Sequence, residues 1–342
     1  MKNPAVLILT FATMAVPVLA DPYTFLSIVN PGDPTFNQEL GINNGGTIAG
    51  YFGSGAMNST PPPFTLHPNQ GYTVVSPYSA GNFSSENFPG SSQTQVIGIN
   101  NGGTTVGFYA DSNGATTPNF LGFVDQSGTF KSVQDPSTPA TGPTTNQLLG
   151  VNDLGVAAGF YVDASGNSQA YTYTIAGGTF TPITLPGADN AVSTTAAAIN
   201  NGGVVAGFFV NSGGATEGFL DNGGTFTVFE VPGSNNTMFL GINNDGQAVG
   251  VYQDGSGFNN GFVYSIASGT FQTVDDPNAV SMNGGTTING VNDKGELVGF
   301  YSDVNANTIG FLAMVPEPRY LSILVLAGLA LLGIKQTRRG SV

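Results

Sequence analysis

Gln147-Leu148-Leu149-Gly150-Val151-Asn152-Asp153-Leu154-Gly155-Val156-Ala157-Ala158-Gly159-Phe160-Tyr161 is the stretch that decides the fold. Two short apolar runs flank an Asn-x-x-Gly step. Asparagine at the first position of a type I turn bonds the backbone two residues on, and glycine takes the left-handed conformation that follows. Such a turn closes a short hairpin with a bulge. The same positions hold Asn43 and Gly46, Asn100 and Gly103, Asn200 and Gly203, Asn243 and Gly246, and Asn292 and Gly295.

Around those turns one phrase returns six times, beginning at Gly41, Gly98, Gly150, Ala198, Gly241 and Gly290. Each hairpin is followed by a polar turn such as Asp163-Ala164-Ser165-Gly166. A third strand such as Gly122-Phe123-Val124 comes next, then a fourth such as Gly178-Thr179-Phe180. Four strands joined by tight polar turns make one antiparallel sheet per repeat, the length of a propeller blade. The region shows no sustained helical period. Glycine inside the second strand, as at Gly107 and Gly159, signals a bulge or close backbone approach, and the aromatic pairs after it point to opposite faces.

The first five repeats own a fourth strand, whereas the sixth stops after Gly310-Phe311-Leu312. Tyr23-Thr24-Phe25-Leu26-Ser27-Ile28-Val29-Asn30 reads like the missing strand. We therefore expect an all-β fold, a six-bladed β-propeller over residues 21–314 with its last blade completed by residues 23–30, because closure removes exposed sheet edges. An open β-solenoid is the alternative. The phrase Gly-[Ile/Val]-Asn-x-x-Gly-x-x-x-Gly-[Phe/Tyr] resembles the HAF-type extracellular repeat of bacterial exported proteins. That resemblance implies an exported β-repeat protein and transfers no catalytic residue.

The chain ends carry a different message. Lys2, the apolar run Ala5 to Val16 and Val18-Leu19-Ala20 read as a cleavable signal peptide over residues 1–20. Residues 315–342 hold Pro316, Glu317 and Pro318, an apolar run from Tyr320 to Ile334, and then Lys335, Arg338 and Arg339. A helix over 320–334 would span roughly 22 Å, short of the roughly 30 Å hydrocarbon core, and basic snorkelling would make up the difference. The positive end would stay cytoplasmic. This tail resembles the PEP-CTERM sorting signal, carried by Pro316, Glu317, Pro318, Arg338 and Arg339. The resemblance implies export through the inner membrane, a transient or retained C-terminal anchor, processing by an exosortase-type enzyme, and presentation at the cell surface, in a biofilm or in an extracellular matrix.

Between Asp21 and Pro318 lie two basic residues, Lys131 and Lys294, against 21 acidic ones, a formal charge of −19. Such a surface repels phosphate backbones, so nucleic acid is excluded as a partner class. With no cysteine there is no disulfide, thiolate metal site or cysteine nucleophile.

His67 is the only histidine, and no neighbour in sequence nominates a nucleophile for it to activate. Paired carboxylates could cleave a glycoside, but Asp153, Asp245 and Asp293 sit in the hairpin turns, where local backbone bonding explains them. Asp111, Asp163, Asp254 and Asp303 recur after the second strand. Their oxygen-rich turns make calcium a candidate cofactor, and a plain Asx turn the simpler reading. Aromatic, amide and hydroxyl side chains permit carbohydrate binding. The expectation is a noncatalytic, exported surface or matrix scaffold associated with extracellular polysaccharide, with no catalytic, cofactor or metal residues assigned. A glycan-binding lectin and a carboxylate-based glycoside hydrolase or lyase are the alternatives.

Overall fold

The computed structural model describes residues 23–55, 67–111, 119–141, 143–185 and 191–315. The signal segment 1–20, the sorting motif and the run 320–334 lie outside them. After β1 (Thr24–Ile28), the first repeat supplies β2 (Asn37–Ile42), β3 (Ile48–Phe52), β4 (Gln70–Val74) and β5 (Phe83–Ser85). The second supplies β6 (Gln93–Ile99), β7 (Thr105–Asp111), β8 (Asn119–Gln126) and β9 (Thr129–Val133), and the third β10 (Asn146–Val151), β11 (Val156–Val162), β12 (Ser168–Thr174) and β13 (Thr179–Pro182). The fourth holds β14 (Ala191–Ile199), β15 (Val204–Asn211), β16 (Thr216–Asn222) and β17 (Thr225–Phe229), and the fifth β18 (Asn236–Ile242), β19 (Gln247–Gln253), β20 (Asn259–Ser265) and β21 (Thr270–Thr273). The sixth has three strands, β22 (Thr286–Val291), β23 (Leu297–Ser302) and β24 (Thr308–Met314).

Each repeat folds as its turns dictate. The backbone N–H of Gly46 donates to Asn43 O, and Asn43 Oδ1 accepts from the N–H groups of Gly45 and Thr47. The glycine after each turn has φ between +73° and +79°, where a side chain would strain the backbone. At one place in the first strand of every repeat the register slips, between Glu39 and Gly41 in β2 and between Leu148 and Gly150 in β10. One extra residue, Leu40 or Leu149, bulges there and bends the strand.

The second-strand glycines answer that bulge. A Cβ at Gly250 or Gly159 would strike the carbonyl of Met238 or Gln147 in the preceding strand of the same sheet. The close approach between repeats is made instead by the first-strand glycine: a Cβ at Gly41 would lie 2.7 Å from Ile97 O, and one at Gly290 would lie 3.0 Å from Leu40 O.

The expectation of six separate blades is corrected by the sheet topology. Four four-stranded sheets stand as separate blades, and the fourth and fifth repeats share a single eight-stranded sheet. The fusion rests on one parallel pair, Thr216 with Asn236. The same neighbour contact recurs as isolated bridges, Phe36 with Thr308 and Phe120 with Thr145. There the bridging residue sits just before the first strand. In the fifth repeat, joined to the fourth by a short link and the closest in sequence at 43 residues between ring asparagines, strand structure already begins at Asn236. The result is an all-β, propeller-like ring. The membrane helix expected at 320–334 falls on residues outside those described, and among the described residues no helix is long and apolar enough to cross a membrane.

The open solenoid is ruled out by the seam. β1 pairs antiparallel with β24 from Thr24 opposite Met314 to Ile28 opposite Gly310. Ile28 is fully buried with Ile42, Ile48, Tyr72, Val298 and Leu312, a cluster that joins the first and last repeats. Repeats interlock by complementary size. Gly71, Gly218 and Gly261 leave room for Val96, Phe239 and Ile288 of the next repeat; where Ala170 replaces the glycine, the corresponding residue is Ala196, packed in the same cluster.

Replacing Ile28 by alanine should cost about 2–5 kcal/mol of a single cooperative transition, while Leu26→Ala, at the exposed end of the same strand face, should cost less than about 1 kcal/mol. Equal melting temperatures for the two variants would show that the terminal strand does not close the ring.

Candidate functional site

The first strands of all repeats run side by side along an axial channel, and successive residues line successive layers. At one end lies a double girdle. In the inner layer each asparagine side chain donates Nδ2–H to the backbone carbonyl of its counterpart in the next repeat: Asn43 to Asn100, Asn100 to Asn152, Asn152 to Asn200, Asn200 to Asn243, Asn243 to Asn292, and Asn292 back to Asn43, all at 3.0–3.2 Å. The same side chains hold their own turns through Oδ1.

The outer layer repeats the idea one residue on. The backbone N–H groups of Asn44, Asn101, Asp153, Asn201, Asn244 and Asp293 each donate to the side-chain Oδ1 of the next repeat, closing a second ring at 2.8–2.9 Å. The order is Asn-Asn-Asp twice around. Asp153 Oδ2 accepts from Nδ2 of Asn101 and Asn201, and Asp293 Oδ2 accepts from Nδ2 of Asn44 and Asn244. Every outer-ring carboxamide therefore has a carboxylate oxygen. Partial burial pushes both carboxyl groups up, yet the bonds from the flanking asparagines outweigh it and hold them below the usual range. The expectation that local backbone bonding explains Asp153 and Asp293 is thus corrected: they bond across to neighbouring repeats.

Behind the girdle the channel holds a cavity of about 70 Å³ bounded by the layers of Leu40, Gly41 and Ile42 and their counterparts. It then opens at the other end into a cavity of about 490 Å³. That wide mouth has the half-buried rings of Phe108, Phe160 and Phe208 on its wall, the amides of Gln38, Gln95 and Gln147 around them, and the bulged residues as its floor. No ionisable side chain is among its described lining residues.

The acids of the peripheral turns are engaged locally. Asp163 Oδ1 accepts from the N–H groups of Ser165 and Asn167 and Oδ2 from Gln169; Asp254 and Asp303 do the same through Oδ1. Among the described residues no group of three or more His, Cys, Asp or Glu side chains could hold a metal. His67 faces Asp33 at 3.6 Å. The sorting residues Pro316, Glu317, Pro318, Arg338 and Arg339 lie outside the described residues.

One acid is exceptional. Glu39 is fully buried, at a position that Val96, Leu148, Ala196, Phe239 and Ile288 occupy elsewhere. Its carboxyl fills the space a Cβ at Gly310 would take, and Oε1 accepts from the Tyr72 hydroxyl at 2.7 Å. Burial pushes it up to about 8, against the lowering effect of the Tyr72 bond. It faces the seam and not the channel.

No family model matches the chain, and no curated protein does. Solved structures with a similar fold include a prolyl endopeptidase at TM-score 0.47 and 9% identity, over 82% of this chain and 40% of the peptidase, less than half that protein's length. TolB from Acinetobacter baumannii is similar at TM-score 0.44 and 12% identity, over 78% of this chain and 63% of TolB. The Aleuria aurantia lectin AAL is similar at 0.45 and 11%, over 83% of this chain and 97% of the lectin.

Two outcomes follow from the girdle and from Glu39. Asn152→Asp removes the donor to Asn200 O and sets a carboxylate against that carbonyl; it should lower stability by about 2–4 kcal/mol at neutral pH, measured by denaturant unfolding, and an unchanged midpoint would contradict the ring's structural role. The folded chain keeps the Glu39 proton where the unfolded chain has released it, so the stability this gives is complete below about pH 4.5 and lost as pH rises toward 8. Glu39→Gln should therefore melt higher than wild type by on the order of 5 °C at about pH 8 and converge with it near pH 4.5; a constant difference across that range would refute the assignment.

Proposed function

We propose that this chain is an exported, noncatalytic ring protein that associates with extracellular polysaccharide through the wide mouth of its channel, after exosortase-type processing at Pro316-Glu317-Pro318. The observation that carries the binding half is the lining of that mouth: apolar ring faces beside amides, in a volume typical of small-ligand sites, with no described acid or base to transfer a proton. A glycan-cleaving reading needs two carboxyl groups facing one cleft. The buried acid Glu39 instead faces Gly310. The export half rests on the sequence of the two ends and on the formal charge of −19 between Asp21 and Pro318, which keeps such a ring dispersed.

Fractionation of the native host tests both halves. The protein is expected with the extracellular polysaccharide, with a C-terminus by mass spectrometry near Pro318 and without residues 320–342. Recovery inside the cell with both ends intact would overturn the export reading. Release of reducing ends from the polysaccharide by purified protein would overturn the noncatalytic one.

A further inference from the structure

The junction between the third and fourth repeats differs from the junctions to either side of it. Val124 of the second repeat packs in one cluster with Tyr173 of the third, and Leu220 of the fourth with Tyr264 of the fifth. Counted from the pair that each second-strand glycine makes, Thr172 holds the place of Val124 and Leu220, and Asp221 the place of Tyr173 and Tyr264. The third and fourth repeats thus face each other with a hydroxyl and a carboxyl group where their neighbours bury an aliphatic chain beside a phenol. A cavity of about 630 Å³ lies there, walled by Val156 and Ile183 of one repeat and Val205 and Phe226 of the other.

Thr73 and Asp125 hold the same two places between the first and second repeats. There Glu86 reaches across and accepts from the hydroxyl of Thr105, the strand partner of Asp125. Ile183 stands where Glu86 does, each donating its backbone N–H to the third-strand carbonyl of Ala170 or Gly71, and an isoleucine offers Asp221 no polar group.

Asp221 is buried, and its Oδ1 accepts from the N–H of Gly224 at 2.7 Å. Among the described residues no hydrogen bond reaches Oδ2. That oxygen, unlike Asp125 Oδ1, is not sealed from the surface, and Asp221 is the one ionisable residue among the described lining of the cavity. The rim departs from the repeat as well. The third residue of the Asn-x-x-Gly turn is Gly45, Gly102, Gly202, Asp245 or Lys294 elsewhere and Leu154 here. Leu154 lines the same cavity and is 71% exposed, so the fold gives this apolar side chain little cover.

These features select a class of ligand. Apolar walls with a few polar groups suit a small organic body. A carboxylate with no cation beside it, on a stretch that carries a formal charge of −19, is stabilised by a positive donor through a charge-assisted bond. A bare metal ion would leave the walls unused, and no group of three His, Cys, Asp or Glu side chains that could hold one stands among the described residues.

We infer that the groove between the third and fourth repeats binds a small organic cation, an ammonium group on an aliphatic or alicyclic body, with Asp221 Oδ2 accepting from the ammonium and Leu154 and Phe226 covering the body. This does not rest on the polysaccharide association, which uses the wide mouth at the other end of the channel.

Calorimetric titration of the full chain in detergent with cyclohexylammonium, cyclohexanol and methylammonium, each corrected for its titration into detergent alone, provides the test. Cyclohexylammonium should bind at one site per chain with a dissociation constant of about 1 mM or below, at least about tenfold tighter than the other two. Asp221→Asn keeps an acceptor for Gly224 and should lose at least about tenfold in affinity while melting at the same temperature or higher. Thr172→Leu, the residue of the fourth repeat at this place, should fill the cavity and weaken binding as much. Nα-acetyl-lysine amide separates the sources of such a cation: binding as tight as that of cyclohexylammonium assigns the groove to a lysine of a partner protein, and weaker binding to a free amine. No binding of cyclohexylammonium at about 10 mM, equal affinity for cyclohexanol or methylammonium, or unchanged affinity in Asp221→Asn would each overturn the inference.

Discussion

Sixteen hydrogen bonds between repeats, six in the inner layer of the girdle and ten in the outer, are the constraint on which the rest of this structure depends. Each repeat alone is a small twisted sheet with two apolar faces. Burying both requires neighbours on both sides, and only a closed ring gives every repeat two. The girdle fixes the spacing at which that closure happens, because one side chain serves two purposes. Asn152, for example, uses Oδ1 to fold its own hairpin and Nδ2 to grip Asn200. Turn formation and ring assembly are thereby the same event chemically, and a repeat with a misformed turn cannot dock. The two aspartates complete the outer layer by stoichiometry: four carboxamides and two carboxylates leave no outer-ring NH₂ group without an acceptor.

Away from the axis, assembly depends on matched volume. Glycine in the third strand meets a large side chain from the next repeat, and Ala170 and Ala196 are both small. The seam between the last repeat and the first follows the same rule with a different chemistry. Gly310 meets Glu39, a carboxylic acid where the other repeats place an apolar residue. Protonated, it packs as a neutral group under the Tyr72 hydroxyl. Ionised, it would be a buried charge with one oxygen unpartnered, so the stability of the junction closed by β1 falls as pH rises.

Much of this was legible in the residues. The turn chemistry of Asn-x-x-Gly, the repeat length and the pairing of residues 23–30 with the sixth repeat followed from period and turn type. The number of separate sheets did not, because whether two neighbouring blades merge depends on a single backbone pair, Thr216 with Asn236, that no pattern encodes. The role of Asp153 and Asp293 was hidden for a similar reason: their partners lie a whole repeat away, so a local reading sees only a turn. The phenylalanines of the wide mouth were not legible either, since alternation shows that Phe108 and Tyr109 face opposite ways but not which of them meets the channel.

The central claim is that the girdle joins the repeats into one cooperative unit, and native-state hydrogen exchange tests it most directly. The backbone N–H groups of Asn44, Asn101, Asp153, Asn201, Asn244 and Asp293 lie at the exposed or half-exposed channel mouth, so accessibility alone would let them exchange quickly. If the ring holds as described, all six exchange only through global unfolding, with one common protection that matches the free energy of the whole fold. Exchange at the rate of the peripheral turn amides, such as Ser165 and Asn167, or a different protection in each repeat, would show that the girdle is a surface ornament and that the repeats are held together by other means.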